Sequence, residues 1–267
     1  MLEEILDDLR AESRELDALV SGLDDDGWRA DTPAKGWTVM HQISHLAWTD
    51  RMALIAATDM EAFAAELAKA ATDPANYMEE GAQEGLSETP RALLARWRAG
   101  REALADALRA APPKAKIPWY GPPMATASVA TARLMETWAH GLDVFEALGA
   151  AKRPTARLRH VAHLGVRTRV NGFLAQGREV PDADVYVELT APDGGVWPFG
   201  DPASPERLTG PALDFCLLVT RRRHRDDLAL VATGKGADEW LDVAQCFAGP
   251  PGDGRRPEGR PVPAGDA

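Results

Sequence analysis

The sequence is poor in cysteine. It holds two, Cys216 and Cys246, in 267 residues, which excludes a disulfide framework and a cysteine-based zinc finger. Positive charge is also in deficit: 30 Lys and Arg stand against 41 Asp and Glu, a formal net charge of −11. That balance argues against nucleic acid or an anionic membrane as a general partner. No apolar run approaches the ~18–20 residues of a membrane-spanning helix. The N-terminal stretch MLEEILDDLRAESREL lacks the basic start and apolar middle of a secretory signal, so the expected location is the cytoplasm. There is no internal repeat and no G-x-S-x-G nucleophile elbow. Thr233-Gly234-Lys235-Gly236 lacks the lead and the closing Ser/Thr of a phosphate-binding loop. Cys216, among Phe215, Leu217 and Leu218, and Cys246, beside Phe247, have no evident activating partner and read as buried small hydrophobes.

What is present is ordinary globular material, 45% hydrophobic and 27% charged, enough for one large domain or two small ones. Leu2, Ile5, Leu6, Leu9, Leu16, Leu19, Val20 and Leu23 follow helical spacing and predict a first helix over 2–23, ended by Asp24-Asp25-Asp26-Gly27. Thr38 is a candidate N-cap for a second helix over 39–67. A polar stretch follows around Asp73-Pro74 and Gly81 to Gly85. Thr89-Pro90 opens a third helix, striped by Leu93, Leu94, Trp97, Leu104 and Leu108. APPKAKIPWYGPPM, with five prolines, reads as a loop. A fourth helix over 125–148 closes on Gly149. Four such helices predict an N-terminal four-helix bundle over 1–150.

The pattern changes after Ala150-Ala151-Lys152-Arg153-Pro154. One helix over 155–175 leads to a half-buried strand in DADVYVELTAP. Pro192-Asp193-Gly194-Gly195 is a turn before a short return strand, Val196–Phe199. Further strands are expected near Arg207–Thr209 and Asp227–Val231, with helices through LDFCLLV and over 237–247. Residues 155–248 therefore read as a smaller α+β domain, and 249–267, rich in Pro and Gly, as a disordered tail.

Two helices carry paired candidate ligands. His41 and His45 are four apart in GWTVMHQISHLAW, and Glu136 and His140 are four apart in LMETWAHGLDV. Residues at this spacing share a face, so each helix can aim both side chains at one point. Imidazole and carboxylate suit Zn²⁺, and also Fe²⁺, Ni²⁺ or Mn²⁺. His41, His45, Trp48 and Met52 form one stripe, opposite Val39, Ile43, Leu46 and Leu54. Glu136, His140 and Asp143 form another, opposite Trp138, Leu142 and Phe145. Trp48 and Met52 make the first stripe the wall of a cleft rather than an open surface. A catalytic zinc site needs three protein ligands and an open position. His160 and His163 read as surface or interface residues. Arg221, Arg222, Arg223 and Arg225 read either as cations at a helix C-terminus or as a clamp for carboxylates.

GWTVMHQISHLAW resembles the second-helix signature of the DinB-like metal-binding bundles, most closely that of the mycothiol-dependent maleylpyruvate isomerase family. METWAHGLDVFEALG resembles that family's fourth-helix signature. LTGPALDFCLLVTRRR and ADEWLDVAQCFAG are similar to its smaller, sterol-carrier-like α/β domain. The resemblance spans about 1–248. It implies an α+β chain with His45, Glu136 and His140 as metal ligands, zinc as the metal, and Arg222 as the residue holding a carboxylate of cofactor or substrate. It implies an isomerase or transferase that uses mycothiol or a similar low-molecular-weight thiol. The metal would deprotonate the thiol, which would add to a small electrophilic acid. His41 departs from the family pattern, where Asp is frequent, and could be a fourth ligand, a group supporting a ligand, or a base moving a proton near neutral pH. The partners expected are the thiol and a small organic acid, with neither nucleic acid nor membrane, in a monomer or homodimer. The alternative is a metal-binding or ligand-binding protein without catalysis. The C-terminal half also resembles a domain linked in some relatives to wyosine base formation, and the acidic charge argues against a tRNA partner.

Overall fold

The computed structural model describes residues 1–112, 114–252 and 254–258. The chain divides into two compact units, Met1–Arg153 and Pro154–Ala267. In the first, four long helices form a bundle: α1 (Leu2–Val20), α3 (Val39–Thr58), α6 (Pro90–Ala110) and α7 (Thr126–Ala147). Short helices α2 (Asp25–Arg29), α4 (Met60–Thr72) and α5 (Pro74–Gln83) join them. Asp24 does more than end α1: its carboxylate accepts from the Gly27 N–H at 2.9 Å and caps α2. The helix expected over 39–67 is two helices. Asp59 leaves helical geometry at φ −144° and caps α4 by accepting from Ala62 N–H at 3.0 Å. The polar stretch after it holds α5, started by Asp73 and Pro74 as N-cap and N1. The proline-rich segment, expected as a loop, contains an antiparallel pair, β1 (Lys116–Ile117) and β2 (Met124–Ala125).

Helix α7 ends as its glycine requires. Gly149 takes φ +63°, and the N–H groups of Gly149 and Ala150 return to the carbonyls of Glu146 and Phe145, a Schellman closure that only glycine adopts without strain. The expected boundary at Lys152 is not an exposed tether. Its side chain is 4% exposed, 2.6 Å from Glu12 and over the ring of Phe145. The bundle core falls into two apolar clusters. One gathers Leu16, Val20, Ile43, Leu46, Leu93 and Trp97, the other Leu6, Met52, Phe63, Leu104 and Leu108. Each fully buried side chain of this kind stabilises the fold by about 1.5–3 kcal/mol. On α3 the change of cluster falls between Ala47 and Trp48. The helix is buried nearly all round, with Gln42, His45, Thr49 and Asp50 among the buried residues.

The second unit is mixed. Helices α8 (Leu158–Arg167) and α9 (Arg169–Ala175) replace the single helix expected over 155–175. Gly165 lets α8 approach closely, since a Cβ there would lie 2.9 Å from Val219. Strands β3 (Val185–Thr190), β4 (Val196–Phe199), β5 (Glu206–Pro211) and β6 (Val231–Thr233) form one sheet in the order β4-β3-β5-β6. β3 pairs antiparallel with β4 and parallel with β5. Val185, Val187 and Leu189 are buried on one face, as the alternation predicts, while the other face grades from buried Tyr186, under the Arg207 guanidinium, through Glu188 to exposed Thr190. Helices α10 (Ala212–Val219) and α11 (Lys235–Val243) complete the unit. The strand expected over 227–231 starts only at Val231, after a tight turn at Arg225–Asp227. Of the expected tail, 250–252 and 254–258 carry no regular structure, and 253 and 259–267 lie outside the described residues. Among the described residues no helix is long and apolar enough to cross a membrane.

Candidate metal centre

Helices α3 and α7 run antiparallel, bringing His45, Glu136 and His140 to one point. Oε2 of Glu136 is the hub, 3.1 Å from Nε2 of His140 and 3.5 Å from Nε2 of His45. One candidate ligand atom from each residue lies within 4.8 Å of the others, and the imidazole centroids are 4.4 Å apart. Burial by itself would raise the Glu136 carboxyl. With the imidazoles protonated, hydrogen bonds from His140 and His45 and the nearby charges of His140 and Arg133 outweigh it and hold the group well below the usual carboxylate range.

The hydrogen bonds around the cluster fix its donors. Gln42, fully buried on α3, donates its amide to Oγ1 of Thr32 at 2.9 Å and so turns Oε1 toward Nδ1 of His140, 2.6 Å away. That contact requires Nδ1 to carry a proton. The neutral ring then presents a lone pair at Nε2 to the Glu136 carboxylate. Two acceptors 3.1 Å apart need a proton or a metal cation between them. His45 adds a buried Nδ1 with no hydrogen-bond partner. Two imidazoles and a carboxylate, one ring oriented by an amide, are a donor set suited to zinc.

His41 stands apart from this group. At the third position of α3 its Nδ1 accepts from the Thr38 backbone N–H at 3.1 Å, with the Thr38 hydroxyl 2.9 Å away. Nδ1 is thereby an acceptor and the neutral ring carries its proton on Nε2. Burial lowers the His41 pKa, opposed in part by the Glu79 carboxylate. Trp37 covers the cluster: its ring stacks on His140 at 5.9 Å and on His41 at 6.2 Å, and tilts against His45 at 5.2 Å. Its indole N–H donates to Glu79 of α5 at 3.1 Å. Trp48, on the other side of His45, lies so close to α5 that a Cβ on Gly81 would meet its ring at 2.5 Å. Beyond Trp48 a cleft of about 710 Å³ opens, lined by polar groups that include Arg51, Glu66, Asn76 and Glu80.

The chain has known relatives. The Mycothiol maleylpyruvate isomerase N-terminal domain family matches residues 9–145, more than half of the chain. The chain belongs to the mycothiol-dependent maleylpyruvate isomerase family. The chain is similar to uncharacterized proteins from two strains of Mycobacterium tuberculosis, CDC 1551 / Oshkosh and H37Rv. Each is 51% identical over 248 residues, 93% of this chain and 96% of the relative. Crystal structures of the mycothiol-dependent maleylpyruvate isomerase and of a histidine-to-alanine variant share the fold. They match with a TM-score of 0.57 at 17% identity, over 87% of this chain and 92% of theirs.

The second unit carries the arginine run. Arg221 is the only described non-glycine residue at positive φ, +58°, at the end of α10, with a buried Nε lacking a hydrogen-bond partner. Arg221, Arg223 and Arg225 line a cavity of about 160 Å³, and Arg225 pairs with Asp238 and Asp242. Arg222 donates to the Thr220 carbonyl at 2.9 Å. Helix spacing singled out His41, His45, Glu136 and His140, whose stripes pointed to a cleft, and the family resemblance reduced the ligand set to His45, Glu136 and His140. The spacing missed Gln42, whose place one residue past His41 puts it on another face of a 100° wheel, and Arg133 and Asp50, which look in sequence like solvated charges.

Proposed function

We propose that this chain is a metal-dependent enzyme that uses a low-molecular-weight thiol, mycothiol or one like it, for isomerase or thiol-transferase chemistry on a small electrophilic acid. The observation that carries the reading is the convergence of His45, Glu136 and His140 in a member of this family. These three residues would hold the metal, most suitably zinc. When bound, the metal supplies a Lewis acid able to take the proton from a coordinating thiol. The protein's own residues do the rest. Gln42 keeps the His140 proton on Nδ1, so Nε2 stays a ligand. Trp37 and Trp48 exclude water from two sides of His45, and the cleft beyond Trp48 gives a polar small molecule room beside the ligand helix. His41 fits the part of an Nε2–H donor better than that of a proton carrier, since a proton on Nδ1 would break its bond from Thr38. Arg222, in the arginine run of the second unit, is the residue we assign to a carboxylate, through a charge-assisted pair.

The reading without catalysis needs a filled metal shell, for which His41 was the candidate. With Nδ1 accepting from Thr38 and the proton on Nε2, His41 has no lone pair to give. The deciding experiment is cobalt substitution. A thiol that enters the coordination shell gives an intense sulfur-to-metal charge-transfer band, which water, acetate and azide cannot produce. We expect the band with mycothiol-like thiols. Its absence at every accessible thiol concentration, in protein fully loaded with cobalt, would favour the binding-protein reading.

A further inference from the structure

The seam between α3 and α7 is a ladder of three polar rungs. Gln42 meets His140, His45 meets Glu136, and Thr49 and Asp50 meet Arg133. The third rung is a full ion pair for which the proposed function has no use. Arg133 is 2% exposed and Asp50 4%. Nε of Arg133 donates to Oδ1 of Asp50 at 2.8 Å, and Nη2 donates to the Thr49 hydroxyl at 2.7 Å. The Thr49 hydroxyl in turn donates to the His45 carbonyl at 2.8 Å. From α6, the Trp97 indole N–H holds the other Asp50 oxygen at 3.2 Å.

A buried ion pair is weak evidence for stability, because desolvating both charges offsets much of their attraction. Its placement is more informative. Arg133 precedes Glu136 by three residues, so the two share a face of α7 one turn apart. A guanidinium cannot lose its proton, and it pairs with any carboxylate in reach through charge-assisted hydrogen bonds. Arg133 therefore has two carboxylates to choose between, and one of them belongs to the candidate metal centre.

We propose that Asp50 is a positioning residue for that centre: fixed by Trp97, it holds the Arg133 guanidinium away from Glu136 and leaves the Glu136 carboxylate open to a cation. The inference rests on the metal reading of His45, Glu136 and His140. Without Asp50, the guanidinium turns to the nearest remaining carboxylate and competes with the metal for its oxygens. Removing Arg133 as well removes the competitor.

The test is zinc affinity, measured by competition with a chromophoric chelator, in the unsubstituted protein, Asp50→Asn, Arg133→Met and the double variant. Asp50→Asn is expected to bind zinc about 10–100-fold more weakly. Arg133→Met and the double variant are expected to bind like the unsubstituted protein. A rung that mattered only for packing would weaken zinc binding in all three, and that result overturns the inference. So does undiminished affinity in Asp50→Asn. If Asp50→Asn fails to fold by far-ultraviolet circular dichroism, the other two variants decide: full affinity supports the inference and loss overturns it. Failure of the unsubstituted protein to bind zinc would overturn the metal reading itself, an outcome distinct from any difference among the variants.

Discussion

Replacing Gln42 with Leu would test the candidate centre without touching a ligand. Leu fills nearly the same buried volume and removes two hydrogen bonds, the 2.6 Å contact with Nδ1 of His140 and the 2.9 Å bond to Thr32. Thr32 keeps its bond to the Trp37 carbonyl at 2.7 Å, so the loop before α3 stays tied. The loss falls on His140. With no acceptor at Nδ1, the ring is free to place its proton on Nε2, 3.1 Å from Glu136. There it satisfies the carboxylate and occupies both of the atoms a metal would use. Loss of such an orienting bond weakens metal binding about 10–100-fold, or ~1.4–2.8 kcal/mol. The metal-free fold should lose ~1–3 kcal/mol for the unpaired group. Gln42→Glu keeps an acceptor for Nδ1 and should bind metal more tightly than Gln42→Leu. Competition titration with zinc and a chelating indicator reads the effect, with circular dichroism as the folding control. Equal affinity in Gln42→Leu and the unsubstituted protein would refute the tautomer argument.

Three other outcomes are expected. Elemental analysis should find about one divalent metal per chain, lost in His45→Ala and His140→Ala and retained in His160→Ala; full metal content in His45→Ala contradicts the assignment. Asp17 is held below its ordinary value by its hydrogen bond from Arg98, and by Arg101, against the opposing effect of burial. The bonds thus add stability above the unfolded pKa, near 4, that is lost as pH falls through the lower folded value. Asp17→Asn should therefore cost roughly 1 kcal/mol at pH 7, a modest figure because Arg98 is half-exposed to solvent. In urea titrations the gap should shrink below pH ~4; a gap that widens in acid reverses the argument. Gly81→Ala would place a methyl 2.5 Å from the Trp48 ring, so α5 must shift at a cost of ~1–3 kcal/mol, seen as a lower melting temperature and altered tryptophan emission. Unchanged stability would mean that α5 does not press on Trp48.

Parts of this molecule are plain in its residues. Thr89-Pro90 and Gly149 mark helix ends because capping is local chemistry, and the i, i+4 ligands share a face because helix geometry is local too. Asp73-Pro74 carries the same signature as Thr89-Pro90, yet α5 is easily overlooked: Gly81 interrupts its pattern and its apolar residues are few. Asp59 splits a long Ala-rich run that periodicity alone would continue. The supporting residues are hidden for another reason. Gln42 acts on a ring 98 residues away and Asp50 on a guanidinium 83 residues away. Whether a charge is solvated or paired in the interior depends on which helices meet, which no local pattern states.

The burial of Cys216 and Cys246 in the second unit has a practical consequence. Burial, reinforced by the neighbouring Cys246, pushes the Cys216 thiol well above its ordinary value, which leaves it almost no reactive thiolate in the native state. Disulfides and alkylating reagents can reach these sulfurs only when the unit around them opens. The rate at which they are labelled is therefore a clock for the opening of residues 154–248. Because the candidate metal ligands all lie before Arg153, that clock can be read against metal loading: one half of the chain reports its breathing in sulfur chemistry while the other reports its occupancy in metal content.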